Sequence, residues 1–275
     1  MIKKILQIVF CVYLFQPIHA LSWNAMGHRI IAQIAYDQLT PASKRIYNRY
    51  NRALNKAYPS QNWVNAAVWL DTLRHQKNAS FNAMHYINMS FSEDDTPLPE
   101  PPSVNAVTAI EQSIQTLKSP NTSDFQKGMA LRILLHVVGD IHQPLHATSK
   151  VSQEHPDGDR GGHFVELTKN SVAKNLHAYW DNGGGFLMNK FYKKKGRSFK
   201  KVVKQLEYEY PCNHFTLTTN PSQWASESHA LGIRAYQWLY HNRPDFLYQF
   251  ETIRVVKKRI VEAGCRLGAL LNDIS

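Results

Sequence analysis

The sequence predicts an all-α protein, built as a single globular helical domain with at most short β segments. Apolar residues recur at helical spacing through most of the chain, and helix start signals precede several of these stretches. We find no internal repeat, low-complexity linker or change of composition that would mark a domain boundary. A chain of 275 residues with 43% hydrophobic content can bury one large core.

The predicted helices each carry apolar residues on one face. In chain order they cover residues 24–39, 41–53, 62–72, 103–117, 123–141, 224–240 and 244–271, the last as one helix or two. Thr40-Pro41 and Asn220-Pro221-Ser222 are typical of helix starts. Residues 92–102 are acidic and rich in proline, and residues 150–162 are polar and rich in glycine, so both predict loops. Residues 162–168 alternate in hydropathy and predict a short strand or hairpin.

The first 22 residues have the pattern of a secretory signal peptide. Lys3 and Lys4 precede an apolar stretch over residues 5–15, and the small residues Ala20 and Ser22 follow. Cleavage after Ser22 fits the small-residue rule better than cleavage after Ala20, and an uncleaved anchor is the alternative. We therefore expect a mature domain over residues 23–275 that is secreted or periplasmic. The absence of another long apolar stretch predicts no stable membrane association.

The cysteines are consistent with an oxidising compartment. Cys11 would leave with the signal peptide, whereas Cys212 and Cys265 remain. A pair of exported cysteines favours one disulfide, although the sequence does not show whether the two are close in space.

The charge balance favours an anionic partner. The formal net charge is +11, and removal of the leader, with its two lysines and no acidic residue, leaves +9. Basic residues gather at 190–197 and continue through Lys200, Lys201 and Lys204. Such a basic, aromatic-bearing surface attracts nucleic acid or anionic lipid head groups. A solvated helix face or loop is an equal alternative for this segment alone.

Two histidine–aspartate pairs carry the clearest chemical signal. His136 and Asp140 are four residues apart, His177 and Asp181 repeat that spacing, and His146 follows the first pair. Residues four apart project from the same helix face, so two helices could present both pairs to one point. Imidazole and carboxylate are zinc ligands, and these five residues exceed the needs of one tetrahedral ion. The pattern indicates a multinuclear centre, and such centres mostly catalyse hydrolysis.

Other segments add candidate ligands. His28 lies close to the predicted mature N-terminus at Trp23, Asp71 precedes Arg74 by three residues, and His85 precedes Tyr86. Taken singly, each histidine is more typical of a hydrogen-bonded structural residue. Taken in order, they belong to a larger pattern.

The ordered motifs resemble the zinc-dependent single-strand nucleases called type I, or S-one/P-one, nucleases, and the resemblance spans the mature chain. The matching segments are W-x4-H from Trp23, W-x-D-x2-R ending at Arg74, H-Y-I-N from His85, H-x3-D-x2-Q-P-L-H from His136, D-R-G-G from Asp159 and N-L-H-x3-D from Asn175. The resemblance implies an all-helical fold with three zinc ions per chain. It also implies a monomeric enzyme acting on single-stranded DNA and RNA and on nucleotides, with 5′-phosphate products and 3′-nucleotidase activity.

The resemblance further implies which residues hold each ion. One zinc would be held by Asp71, His85, His136 and Asp140, a second by His146, His177 and Asp181, and a third by His28, Asp140 and the amine and carbonyl of Trp23. Only a processed amine, with a reference pKa of about 8, is readily available as a neutral nitrogen donor. Cleavage after Ser22 would therefore create the free amine of Trp23 that the third zinc requires.

The catalytic residues implied are Arg74, Asp71 and Asp140. Zinc ions that share Asp140 would supply hydroxide near neutral pH, and Arg74 would meet the charge that builds on the phosphate oxygens.

Single-strand specificity follows if an unstacked base enters a pocket beside the metals. Tyr86 is the predicted stacking residue, Asn88 the hydrogen-bonding residue, and Gly161-Gly162 the close backbone approach. His163 stands where the family usually has asparagine, and Asn88 where many relatives have aspartate. These two departures leave the base preference open.

Two other functions remain as alternatives. A zinc-dependent phospholipase C uses the same three-zinc arrangement, but Asp181, the segment Asp159–Gly162 and Tyr86 favour the nuclease. A non-enzymatic, zinc-stabilised polyanion-binding protein is supported mainly by the basic segment at 190–197, and it gives Arg74 no role.

Overall fold

The computed structural model describes residues 23–74, 79–188, 198–215 and 217–275, without the side chains of residues 74, 79 and 80. The predicted leader (residues 1–22) and the basic segment at 190–197 lie outside the described residues.

The described chain is mainly helical, with one small sheet, so the predicted all-α fold is confirmed. The α-helices are α1 (Ala25–Gln38), α2 (Pro41–Leu54), α3 (Trp63–Ala66), α4 (Trp69–Arg74), α5 (Ala79–Asn82), α6 (Ala106–Lys118), α7 (Asp124–Ile141), α8 (Leu176–Asp181), α9 (Phe199–Glu209), α10 (Pro221–Gln237) and α11 (Phe246–Asp273). Short 3₁₀ helices cover Ala83–His85, Pro144–His146, Gly183–Gly185 and Cys212–His214. The strands are β1 (Met89–Ser92) and β2 (Thr148–Val151).

Polar side chains at the helix starts fix where the helices begin. At each of these positions the side-chain oxygen accepts a hydrogen bond from a backbone N–H of the first turn, which has no partner within the helix. The capping residues are Asn24, Thr40, Asn62, Asn105, Ser123, Asn175, Ser198, Asn220 and Asp245.

Helix α7 is the centre of the molecule. Helices α2 and α6 pack along it, and α1 packs between it and the long C-terminal helix α11. Its buried residues run almost without interruption from Ala130 to Ile141. A helix buried on this many sides gives its side chains little freedom, so groups carried by α7 are held firmly.

The small sheet was not predicted. β1 and β2 pair in parallel, with Met89 opposite Thr148 and Ser92 opposite Val151. The crossover between them is made by α6 and α7, since parallel strands cannot be joined by a tight turn. The loops predicted over residues 92–102 and 150–162 therefore start too early, because Ser92 belongs to β1 and residues 150 and 151 belong to β2. The strand predicted over residues 162–168 is wrong, because this segment has only an isolated bridge between Glu166 and Asn175.

The helix predicted over residues 62–72 is two helices, α3 and α4. The chain breaks at Ala67 and Val68, where the Ala67 carbonyl accepts a hydrogen bond from the His136 ring. That carbonyl is taken out of helical bonding by a distant residue, and a local pattern cannot show such a contact. Residues 244–271, predicted as one helix or two, form the single helix α11.

The predicted disulfide is present between Cys212 and Cys265, whose Cα atoms are 5.4 Å apart. It ties the 3₁₀ helix after α9 to α11. In the described part of the chain, no helix combines the length and the apolar character needed to cross a membrane.

Candidate metal centre

The site is built around Asp140, which is fully buried on the inner face of α7. Its two oxygens face different histidines. Oδ1 lies 3.3 Å from Nε2 of His28, whereas Oδ2 lies 3.0 Å from Nδ1 of His85 and 3.3 Å from Nε2 of His136. A carboxylate with each oxygen turned toward a separate imidazole group can bridge two cations.

A second acid lies beside the same histidines. Oδ1 of Asp71, at the start of α4, is 3.6 Å from Nε2 of His136. That Nε2 atom is only 3.1 Å from Nδ1 of His85. Two ring nitrogens and two carboxylates therefore converge on one point, where a shared cation can accept all four lone pairs.

A third group lies on the other side of Asp140. Nε2 of His146 is 3.7 Å from Oδ1 of Asp181, and Nε2 of His177 is 3.5 Å from Oδ2 of the same acid. His146 also connects this group to the first, since its Nδ1 lies 3.9 Å from Oδ1 of Asp140. These eight side chains are called the His/Asp cluster below: His28, Asp71, His85, His136, Asp140, His146, His177 and Asp181.

Backbone carbonyls orient three of the imidazoles. Nδ1 of His136 donates to the Ala67 carbonyl at 2.6 Å, Nδ1 of His146 to the His85 carbonyl at 2.6 Å, and Nδ1 of His177 to the Gly161 carbonyl at 2.8 Å. A carbonyl oxygen can only accept, so each Nδ1 carries the hydrogen. Each Nε2 then keeps its lone pair and faces the cluster, the arrangement that histidine metal ligands use.

The donor set fits metal ions. Ligands bound at 2.0–2.1 Å in a tetrahedron are separated by about 3.3 Å, close to the nitrogen–oxygen separations of 3.0 to 3.7 Å within each group. Oδ1 of Asp140, Nε2 of His146 and Oδ2 of Asp181 are buried and make no hydrogen bond to any described residue. Buried polar atoms without partners are costly, so the cluster is suited to a cation that would complete them.

Burial and mutual charge set the protonation of these groups. Burial raises the pKa of Asp140, but the electrostatic attraction of His136 and His28 and a hydrogen bond from His85 outweigh it and hold the pKa well below its usual value. Burial lowers the pKa of His136. Both shifts favour the deprotonated forms that bind metals. Burial raises the pKa of Asp181 to about 7, although the neighbouring His146 imidazole and a hydrogen bond from Gln143 oppose this rise.

Gln143 supports the group formed by His146, His177 and Asp181, and it was not singled out from the sequence. Its Nε2 donates to Oδ1 of Asp181 at 2.8 Å, and its side-chain oxygen accepts from the Leu145 N–H at 2.6 Å. The residue therefore holds both Asp181 and the 3₁₀ helix that carries His146. Its position inside the motif from His136 to His146 was the available signal.

Trp23 lies beside the cluster. Its indole is fully buried and donates to the Gly139 carbonyl at 2.8 Å, next to Asp140 in the chain. The following residue, Asn24, donates its backbone N–H to the Asp181 carbonyl at 3.1 Å. The backbone at Trp23 is thus held between α7 and α8, which carry ligands of different groups.

The predicted base-contacting residues border the same site. Ile87, which follows Tyr86, donates its backbone N–H to the His146 carbonyl at 2.9 Å, and Asn88 has a positive φ of 51°. The His163 ring stacks on the His177 ring, with centroids 3.9 Å apart. Tyr86 and Asn88 are half-buried.

Gly161 and Gly162 both have positive φ angles, of 66° and 83°. The carbonyl of Gly161 holds His177, and a Cβ atom at this glycine would collide with the carbonyl oxygen of Leu145. Gly161 therefore lies against the 3₁₀ helix that carries His146, and the approach of this glycine pair to a base stays a prediction. Arg74 is the last residue of α4, and its side chain lies outside the described residues.

The fold and the site together define a helical protein with a candidate multinuclear metal centre. Comparison with known proteins narrows this class. The S1/P1 Nuclease family model matches residues 23–275, so the chain belongs to that family.

Individual relatives are similar over most of the chain. Endonuclease 2 of Arabidopsis thaliana is 25% identical over 97% of this chain and 94% of its own length. Nuclease P1 of Penicillium citrinum is 24% identical over 92% of this chain and 97% of its own. Nuclease S1 of Aspergillus oryzae is 26% identical over 58% of this chain, which spans only 53% of that relative.

Proposed function

We propose that the protein is an exported phosphodiesterase that hydrolyses single-stranded DNA and RNA to 5′-phosphate products. We propose that it also removes 3′-phosphates from nucleotides, acts as a monomer and holds three zinc ions. One observation carries the proposal: eight buried or nearly buried imidazoles and carboxylates from separate segments converge, with their metal-binding atoms turned toward one another.

The ligand groups support three ions. Three sets with ligand atoms within 4.8 Å of one another are His28, His136 and Asp140; Asp71, His85 and His136; and His146, His177 and Asp181. We assign Asp71, His85, His136 and Asp140 to one zinc, His146, His177 and Asp181 to the second, and His28, Asp140 and the amine and carbonyl of Trp23 to the third. The two oxygens of Asp140 lie beside different histidines, Oδ1 beside His28 and Oδ2 beside His85, which supports its role as a bridge.

Zinc would supply a Lewis acid for the phosphoryl oxygens and would lower the pKa of water toward neutrality. The chain supplies the geometry. Asp140 is fully buried, whereas the Asp71 side chain is 18% exposed, so Asp71 lies at the mouth of the cluster. Arg74 follows Asp71 by one helical turn, and we propose that its planar guanidinium gives two donors to the non-bridging phosphate oxygens.

The proposed third zinc requires a free amine at Trp23. Removal of the leader after Ser22 would create that amine. The bonds from Trp23 to Gly139 and from Asn24 to Asp181 hold this stretch beside the cluster and support the assignment. The domain would then cover residues 23–275, the range of the family match.

We propose that single-strand specificity comes from a base pocket formed by Tyr86, Asn88, Gly161, Gly162 and His163. The support is that Asn88 contacts His146, that Gly161, Gly162 and His163 contact His177, and that Tyr86 directly follows His85 in the chain. A base stacked inside a duplex could not reach residues placed this close to buried ligands.

The direct test compares substrates with and without chelator. We expect release of acid-soluble, 5′-phosphorylated nucleotides from heat-denatured DNA and from RNA, much slower release from duplex DNA, and loss of both after treatment with EDTA. Head-group release from phosphatidylcholine without cleavage of denatured DNA would instead support the phospholipase C alternative. Binding of denatured DNA without cleavage of any substrate would support the polyanion-binding protein.

A further inference from the structure

Two cavities meet at Arg29, beside the His/Asp cluster. The first, of about 540 Å³, is lined by Asp71, Arg29, Asn65 and the buried Trp69, among others. The second, of about 290 Å³, is lined by Arg29, Asn182 and Met188, among others. Both include Asn24, Ala25 and Arg29, so they form one groove across the first turns of α1, called the α1 groove below.

Helix geometry explains how one stretch of α1 serves two purposes. Successive helical residues point about 100° apart. His28 is fully buried and faces Asp140, whereas the neighbouring Arg29 is half-buried and lines the α1 groove. The Arg29 guanidinium is therefore one residue away from the proposed metal ligand His28, but it lies in the α1 groove and not in the His/Asp cluster.

The Arg29 side chain is oriented, and its charge is not neutralised within the described chain. Its Nε donates to Oδ1 of Asn65 on α3 at 3.0 Å. Among the described residues, no carboxylate forms an ion pair with Arg29, and its two terminal nitrogens have no hydrogen-bond partner. A guanidinium held through Nε presents its remaining N–H groups as a fork, which matches two oxygens of a phosphate.

The α1 groove is distinct from the proposed base pocket, because none of the base-pocket residues lines either cavity. It opens at Asp71, where the cluster reaches solvent. A strand whose scissile phosphate lies at Asp71 must place a neighbouring nucleotide beside that position, and the apolar wall formed by Val68 and Trp69 suits a sugar or base.

We propose that the α1 groove is a second nucleotide subsite, in which Arg29 binds the phosphate next to the scissile one. The proposal rests on the proposed nuclease function and names the path of the strand beyond the reacting phosphate. Arg29 is a binding residue for longer substrates, and it plays no part in the reaction at the metals.

The experiment compares Arg29→Gln with a matched control, Arg52→Gln, which removes an exposed arginine of α2 that lines neither cavity. Two substrates are used: decathymidylate, and thymidylyl-thymidine, which has no phosphate beside the scissile one. For Arg29→Gln we expect roughly a tenfold higher KM for decathymidylate, as for a lost charge-assisted hydrogen bond. KM and kcat for thymidylyl-thymidine, and the zinc content, should stay unchanged.

Salt dependence gives a readout that does not depend on turnover. Binding of fluorescein-labelled phosphorothioate decathymidylate, measured by anisotropy, should show a slope of log affinity against log salt that is smaller by about 0.7, the value for one lost phosphate contact with a single strand. Arg29→Lys should keep the slope but bind more weakly, because it keeps the charge and loses the fork. Arg52→Gln should leave both unchanged.

Two results would overturn the subsite. One is an Arg29→Gln variant with unchanged KM and an unchanged salt slope. The other is a variant that loses zinc together with its rate on thymidylyl-thymidine, which would make Arg29 a structural support for α1. Failure of the nuclease proposal is a different outcome, since the unaltered protein would then cleave neither substrate while the anisotropy measurement still reported on Arg29.

Discussion

The ligands carried by α7 and the ligands carried by short segments are held in place by different means. His136 and Asp140 stand on a buried helix whose C-terminal end is fixed by Ser228, which donates to the Ile141 carbonyl at 2.6 Å. His85 and His146 lie on 3₁₀ helices, and a strand of the small sheet begins at Met89 after the first and at Thr148 after the second. The position of the first pair depends on local helix geometry, whereas the position of the second depends on backbone pairing between distant parts of the chain.

The small sheet connects the two segments that carry His85 and His146. Ile87 donates its backbone N–H to the His146 carbonyl, and Met89 donates to the Ala147 carbonyl, both at 2.9 Å. The Nδ1 atom of His146 donates in turn to the His85 carbonyl. Helix α7 and the sheet can therefore be perturbed separately, and each should affect a different part of the cluster.

The largest effect is expected for the helix-borne bridge, Asp140. We expect Asp140→Ala to lose more than one zinc ion and to reduce activity by at least about 10³-fold, beyond the 10- to 100-fold typical of groups behind the ligands. Zinc analysis and nuclease assays measure both effects. Asp124→Ala, which removes an exposed carboxylate at the other end of α7, is the control and should retain metal and activity. Near-normal activity in Asp140→Ala would rule out a bridging role.

Arg74 should separate catalysis from metal binding. We expect Arg74→Ala to keep its zinc and to lose rate on the order of 10²-fold, as for a lost oxyanion donor. Measuring kcat and zinc content on the same preparation distinguishes a loss of catalytic rate from a loss of metal. Loss of zinc together with rate would show that Arg74 supports α4 and Asp71 structurally.

The N-terminus should affect only the group that contains His28. A glycine added ahead of Trp23 converts the amine into an amide, which is a very poor zinc ligand. We expect this variant to lose activity and about one zinc ion, although every side-chain ligand remains. N-terminal sequencing of the exported protein is the companion measurement. Full zinc and full activity in the extended protein would remove Trp23 from the ligand set.

A matched pair of glycine substitutions compares the two regions directly. Gly161→Ala puts a Cβ at a φ of 66° against the Leu145 carbonyl, and should cost about 1–3 kcal/mol of unfolding free energy while weakening zinc binding by His146, His177 and Asp181. Gly139→Ala lies within α7, where alanine is favoured over glycine by about 1 kcal/mol. Its Cβ would lie 2.9 Å from the His28 ring and 3.0 Å from the Ile31 side chain, a less severe approach than that of a Cβ at Gly161, which would come still closer to a backbone oxygen. Urea unfolding and zinc titration should show the smaller stability loss for Gly139→Ala. The reverse order would contradict the distinction between the two regions.

The disulfide should affect stability and leave the cluster intact. Cys212 and Cys265 are 53 residues apart in the chain, and the chain-entropy model assigns such a loop about 4 kcal/mol. We expect Cys212→Ser to lower the free energy of unfolding by up to that amount while zinc content and activity at 25 °C stay the same. A loss of zinc in Cys212→Ser would show that the positions of the metal ligands depend on the disulfide and on α11, which would contradict this expectation.

The sequence predicts the helix-borne part of the site well, because a spacing of four residues places His136 and Asp140 on one face whatever the rest of the chain does. It cannot predict the pairing of β1 with β2, since each strand is only four residues long and its partner lies beyond α6 and α7. The break between α3 and α4 has the same origin, because it depends on a hydrogen bond from His136. Gln143 and Arg29 were missed because their roles are defined by neighbours that are distant in sequence.

The most direct test of the central claim is anomalous X-ray diffraction at the zinc absorption edge, from crystals of the exported protein. We expect three peaks within the His/Asp cluster: one at Asp71, His85 and His136, one at His146, His177 and Asp181, and one at His28, with Asp140 touching the first and the last. A map with no peak in the cluster, or with a single peak away from Asp140, would contradict a multinuclear zinc centre.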